Sequence, residues 1–90
     1  MSQGKIIIDV RDVAEFEGGH VQGAINMSLN EGVLEEQMIS LDPSASYLLY
    51  CRSGGRSGMA MDILLRSGFS SVENLGTLED AAAALNLPIV

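Results

Sequence analysis

Short apolar blocks separated by Gly, Pro, Asp and Ser run the length of the chain, and their period changes from block to block. Lys5–Val10 (KIIIDV) is a β-branched run without polar alternation, the pattern of a strand buried on both faces. Asp12 is placed to cap a short helix through Phe16, which Gly18-Gly19 stops. Val21–Met27 reads as a second short strand with Gly23 near its start. Asn30 is placed to cap the next helix, where Val33, Leu34, Met38 and Leu41 fall near helical spacing, and Asp42-Pro43-Ser44 ends it. Ser46–Tyr50 (SYLLY) is the clearest central strand. Ser57 is placed to cap a helix through Arg66, with Ala60, Ile63 and Leu64 inward and Gly68 at its stop. Ser71–Leu75 is another strand, and Leu78–Leu85 is an Ala-rich helix that Pro88 keeps from extending.

Strands alternating with helices predict a three-layer α/β domain. It has a mostly parallel central sheet of four to five strands and helices on both faces. In such sheets ligands bind just past the C-terminal ends of the strands, which directs attention to the residues after Tyr50.

Composition narrows the picture. Ninety residues make a single domain, 1–90, and 47% hydrophobic with 19% charged residues excludes a disordered tail. With no Trp, two Tyr and two Phe, the core is aliphatic. Twelve acids against five bases give a net charge of −7, which argues against nucleic-acid and anionic-membrane partners. The distribution is uneven: residues 51–66 hold Arg52, Arg56 and Arg66 against Asp62, a local +2 that leaves −9 on the rest. A basic patch on an acidic body suits a small anionic ligand. The start, MSQGKIIIDV, lacks the apolar stretch of a signal peptide, and no window approaches the ~20 apolar residues of a membrane span. The expected compartment is the cytoplasm, or the periplasm if a leader has been removed.

One Cys cannot form an internal disulfide or a multi-Cys zinc site. Its neighbours point to reactivity. Cys51-Arg52-Ser53-Gly54-Gly55-Arg56-Ser57 comes after the central strand and leads into a helix. A thiol there faces unpaired backbone N–H groups and the positive end of a helix dipole, and two Arg add full charge; each favours thiolate. Gly54 and Gly55 let successive N–H groups turn inward as an anion-binding nest, and Ser53 and Ser57 add hydroxyl donors. The expected product is a nucleophilic sulfur at the bottom of an oxyanion-shaped cup.

Cys-x-x-Gly-x-Arg-Ser after a central strand resembles the active-site loop of rhodanese sulfurtransferases. Ile8-Asp9-Val10-Arg11 with Glu15-Phe16, then Gly19-His20-Val21-Gln22-Gly23-Ala24-Ile25-Asn26, and finally Val72-Glu73-Asn74-Leu75-Gly76 resemble further family segments in the right order. The resemblance spans residues 6–80 and is closest to compact single-domain rhodaneses of the phage-shock-protein-E type. It implies a rhodanese-like fold and a ping-pong thiosulfate sulfurtransferase. The Cys51 thiolate takes the outer sulfur of thiosulfate as a persulfide, and cyanide or a thiol removes it. It further implies that loop N–H groups from Arg52 through Ser57 stabilise the persulfide and that Arg56 closes the cup on anionic substrate. A cationic Arg52 would suit a dianion. The chain departs from larger rhodaneses at Gly76-Thr77-Leu78-Glu79, without their later Trp, which bears on the pocket rim and the acceptor.

The expected site is therefore Cys51 as nucleophile, with Arg52, Ser53, Gly54, Gly55, Arg56 and Ser57 around the substrate. Neither metal nor organic cofactor is expected. The expected partners are a small anionic sulfur donor, a thiol or cyanide acceptor and a possible sulfur-relay protein, with the chain as a monomer. Other readings stand beside this one: a persulfide carrier charged by a partner, a non-enzymatic rhodanese-like binding module, and a cysteine phosphatase. The last is disfavoured because phosphatase loops are Cys-x5-Arg, whereas four residues separate Cys51 from Arg56. Outside the loop, His20 reads as structural with its ring bonded to nearby backbone, and Asp9 with Arg11 as a brace at the strand end. Met59 and Met61 read as packing and surface residues of the helix, and Glu31, Glu35 and Glu36 as a solvated acidic face.

Overall fold

The computed structural model describes residues 5–90. Its elements run in the order β1 (Ile6–Asp9), α1 (Val13–Glu17), β2 (Ile25–Asn26), α2 (Val33–Gln37), β3 (Ser46–Cys51), α3 (Gly55–Arg66), β4 (Ser71–Thr77) and α4 (Leu78–Leu85). The four strands pair in parallel as β2-β1-β3-β4.

Strand alternation divides the apolar residues into two cores. Ile8, Val10, Tyr47, Leu49 and Cys51 point to one face and pack with Leu34 of α2 and Ala60 and Leu64 of α3. Tyr50 points to the other, where it meets Val21, Ala81 and the partly buried Ile7, Leu78 and Leu85. Helices thus cover both faces of the sheet, as three layers require. Cys51 belongs to the α2/α3 face, directly above the start of α3.

Several boundaries differ from those the sequence predicts. Only Ile25–Asn26 of the Val21–Met27 segment joins the sheet, paired with Ile8 and Asp9. Gly23 takes a left-handed φ of 89°, and the Ala24 N–H returns to the Val21 carbonyl, so the chain turns there. Val21 instead forms an antiparallel bridge with Ile89. The N-cap of α2 is Gly32 (φ 75°) rather than Asn30, because the Ser28 carbonyl receives the N–H groups of Val33 and Leu34. A 3₁₀ turn over Met38–Ser40 comes after α2, in place of a longer helix reaching Leu41. β4 continues past Leu75 to Thr77, whose Oγ1 accepts the Asp80 N–H and caps α4 without an intervening loop. At the end of α3, Gly68 takes a φ of 97° and the Phe69 N–H reaches the Leu64 carbonyl, the stop the sequence predicts.

Candidate active site

Cys51 is the last residue of β3, and α3 begins four residues later at Gly55. The turn between them is possible because Gly54 adopts a φ of +94°, a left-handed conformation costly for other residues. Gly54 rather than Ser57 is the N-cap of α3, which corrects the predicted capping residue. Ser57 lies one turn inside, fully buried, with its hydroxyl aimed back into the loop.

The Gly54 N–H donates to the Cys51 sulfur at 2.9 Å, and the Ser57 Oγ lies 3.4 Å from it. Cys51 itself has no exposed surface. Burial pushes its pKa up. The Ser57 hydroxyl and the backbone N–H groups of Ser57, Ser53 and Gly54 outweigh that, so the thiol ionises below its ordinary value. The two glycines of the loop play unequal parts in this geometry. Gly54 supplies the special backbone conformation, whereas Gly55 has an ordinary φ and open space where a Cβ would stand. Ser53 contributes its backbone rather than its exposed side chain.

Neither arginine side chain donates to the sulfur. Arg56 makes a bidentate ion pair with Glu15, Nη1 to Oε1 at 2.8 Å and Nη2 to Oε2 at 3.1 Å. The Arg56 guanidinium holds the Glu15 carboxyl down to about 2. Glu15 Oε1 also accepts the Asp12 N–H at 3.1 Å, closing the N-terminal turn of α1. Arg52 is exposed and lines a cleft of about 300 Å³ with Arg11, Glu15, Gly19, Leu78 and Glu79. That cleft opens beside the loop and does not include the sulfur in its wall.

Two residues to which the sequence reading gave no role complete the site. Glu15 is one. Asn74 of β4 is the other: its Oδ1 accepts from Ser57 Oγ at 2.7 Å and from the Gly76 N–H at 2.9 Å, and its Nδ2 donates to the Gly54 carbonyl at 3.4 Å. The Gly76 N–H fixes which end of the amide is oxygen. Gly76 sits where the β3/β4 register shifts between Leu49 and Cys51, with a φ of +92°. Both residues lie in segments that carry the family resemblance, but their partners are 41 and 17 residues away, beyond any local pattern.

The structural readings outside the loop agree with the geometry. His20 stacks on Phe16 with centroids 3.8 Å apart, and its Nδ1 lies 2.9 Å from the Phe16 carbonyl. Asp9, fully buried, takes the Arg11 guanidinium at 2.6 Å and the Arg11 N–H at 2.9 Å, and Arg11 continues to the Gly19 carbonyl. Met61 packs on the α3 core while Met59 is exposed, and Glu31, Glu35 and Glu36 face solvent. Among the described residues, no three His, Cys, Asp or Glu side chains cluster closely enough to hold a metal ion. Nor, among them, is any helix long and apolar enough to cross a membrane.

Fold and site together define a class: a parallel α/β domain built around a cysteine whose thiolate is stabilised by the loop at the end of its strand. The chain belongs to the rhodanese-like domain family, whose profile matches residues 1–79. It is 40% identical over 77 residues to the thiosulfate sulfurtransferase PspE of Escherichia coli, covering 83% of this chain and 72% of that one. A solved structure described as a rhodanese with anions from E. coli superposes with a TM-score of 0.82 at 37% identity, over 97% of this chain and 98% of the other. A putative sulfur carrier protein of Bacillus subtilis, YrkF, is 33% identical over 69 residues; the match covers 77% of this chain and 36% of that longer protein. These relationships assign the chain to sulfur transfer in general.

Proposed function

We propose that the protein is a thiosulfate sulfurtransferase that works through a Cys51 persulfide. The observation that carries this reading is the Gly54 N–H on the Cys51 sulfur at 2.9 Å, in a loop that lowers the thiol's pKa. The thiolate attacks the outer sulfur of thiosulfate. A bond forms between Cys51 Sγ and that sulfur as the S–S bond of thiosulfate breaks, and sulfite leaves with the electron pair. An acceptor, cyanide or a thiolate, then attacks the outer sulfur, and Cys51 departs as thiolate. The Gly54 N–H, which already donates to the Cys51 sulfur, is placed to share the negative charge that the persulfide carries. Cys51 is fully buried, so a donor reaches it only with local movement around the sulfur.

The role of carrier for a sulfur-relay partner is a second reading, favoured by the similarity to YrkF. Both readings need the same cup and differ in the donor. The proposed activity is tested by sulfite release from thiosulfate in the presence of cyanide. Cys51→Ser abolishes release if the reading holds, and turnover retained in that variant defeats it. A carrier would accept sulfur from a protein persulfide yet release no sulfite from thiosulfate.

A further inference from the structure

Folding rearranges the charges that the linear sequence places around the sulfur. In sequence, the segment 51–66 is basic. In three dimensions Arg56 is taken by Glu15 and Arg66 by Asp62. Arg11, which also lines the cleft, is taken by Asp9. Among the described residues Arg52, the neighbour of Cys51 in the chain, has no carboxylate partner within ion-pair distance, and it lines the cleft beside the loop together with Glu79. Side-chain charge lining the cleft beside the loop is therefore balanced, Arg11 and Arg52 against Glu15 and Glu79, and the carboxylate that takes Arg56 comes from α1, 41 residues before it.

We propose that Glu15 is a specificity-determining residue for the sulfur donor: by clamping Arg56 in a two-bond ion pair, it leaves Arg52 as the cation that meets an anionic donor and tunes the site toward donors of low charge. Singly charged organic thiosulfonates (R–SO₂–S⁻) are the class this favours relative to dianionic thiosulfate. The inference rests on the sulfurtransferase reading for its donors, but its charge argument does not.

Three features make Glu15 suited to the task. Its carboxylate makes two hydrogen bonds to the Arg56 guanidinium, which keep it ionised well into the acid range. Its second function, closing the first turn of α1 on the Asp12 N–H, fixes its position independently of the loop. Arg56 is close enough to the sulfur that a Cys51 thiolate raises the Arg56 pKa, so whatever neutralises Arg56 alters the field at the nucleophile.

Glu15→Gln isolates the charge, because Gln also serves the third helical position of a capping box. The test compares alkylation of Cys51 by iodoacetate and by iodoacetamide, which attack through the same carbon and differ in charge. The expected result is a rise of about fivefold in the iodoacetate-to-iodoacetamide rate ratio, the scale of one full charge released near a partly screened site. KM for thiosulfate falls in the same variant, and KM for methanethiosulfonate changes less. Equal change in both alkylation rates, or none, overturns the proposal and leaves Glu15 a strut. Arg52→Gln, at an exposed position, gives an independent arm: the ratio drops by about fivefold if Arg52 is the cation an anion meets, and an unchanged ratio contradicts the proposal. If neither donor is turned over while the alkylation ratio shifts, the sulfurtransferase reading fails and the charge assignment stands.

Discussion

Ser57 donates its hydroxyl proton to Oδ1 of Asn74 across 2.7 Å, although the Cys51 sulfur lies only 3.4 Å from the same hydroxyl oxygen. A hydroxyl has one proton to give. With the thiol protonated, the shorter contact to Asn74 holds it. When the sulfur ionises, the charged acceptor competes for it, since hydrogen bonds to ionised groups are the stronger. Asn74 keeps the Ser57 hydroxyl in place for that exchange and holds the loop through the Gly54 carbonyl.

Ser57→Ala removes this donor. The Cys51 pKa rises, less thiolate is present at neutral pH, and alkylation by iodoacetamide at pH 7 slows by about tenfold, the lower end of what a hydrogen bond to a charged group contributes. The pH-rate profile of alkylation checks it: the inflection moves to higher pH while the plateau rate is preserved. An unmoved inflection would assign the pKa to backbone donors alone.

Gly54→Ala tests the backbone. A Cβ would meet nothing closer than the Gly76 Cα at 3.8 Å, so the difficulty is conformational, not steric. Holding a φ of +94° with a side chain costs about 1–2 kcal/mol. The expected outcome is a destabilisation of that size by urea unfolding, with slower alkylation as the Gly54 N–H leaves the sulfur. Full stability with normal reactivity would show that the left-handed turn is not required.

The Glu15–Arg56 pair links stability to pH. Arg56 depresses the Glu15 carboxyl from 4.5 to about 2 in the folded protein. Its contribution is fully present above about pH 4.5 and is lost as pH falls from there through about 2. With the two side chains 22% and 28% exposed, solvent screening holds the effect to about 1 kcal/mol. Urea midpoints between pH 5 and pH 2 should therefore fall less steeply in Glu15→Gln than in the parent. Parallel curves would mean the pair adds nothing to stability.

What the sequence made legible was local or periodic. The runs KIIIDV and SYLLY announce buried strands, and Cys51 directly after the second, before two glycines, announces a turned loop; the strand itself runs one residue further, to Cys51. Their face assignment comes from the period of two, which puts Cys51 with Leu49 and Tyr47 on the α3 side. Boundaries were lost where backbone conformation overrode side-chain preference: Gly54 and Gly32 begin helices at which Ser57 and Asn30 are the better caps by residue type. The setting of Arg56 was hidden for another reason. Its charge is visible in the sequence, but its partner Glu15 arrives from α1 and no spacing rule connects them. Asn74 escaped assignment in the same way, because its work is done across the β3/β4 seam.

A persulfide adds one sulfur atom covalently to Cys51, which intact mass after incubation with thiosulfate reads without any coupled assay. The expected result is a gain of one sulfur atom on the parent chain, reversed by cyanide or reductant and absent from Cys51→Ser. An unchanged mass in the parent, or the same gain in Cys51→Ser, would contradict it.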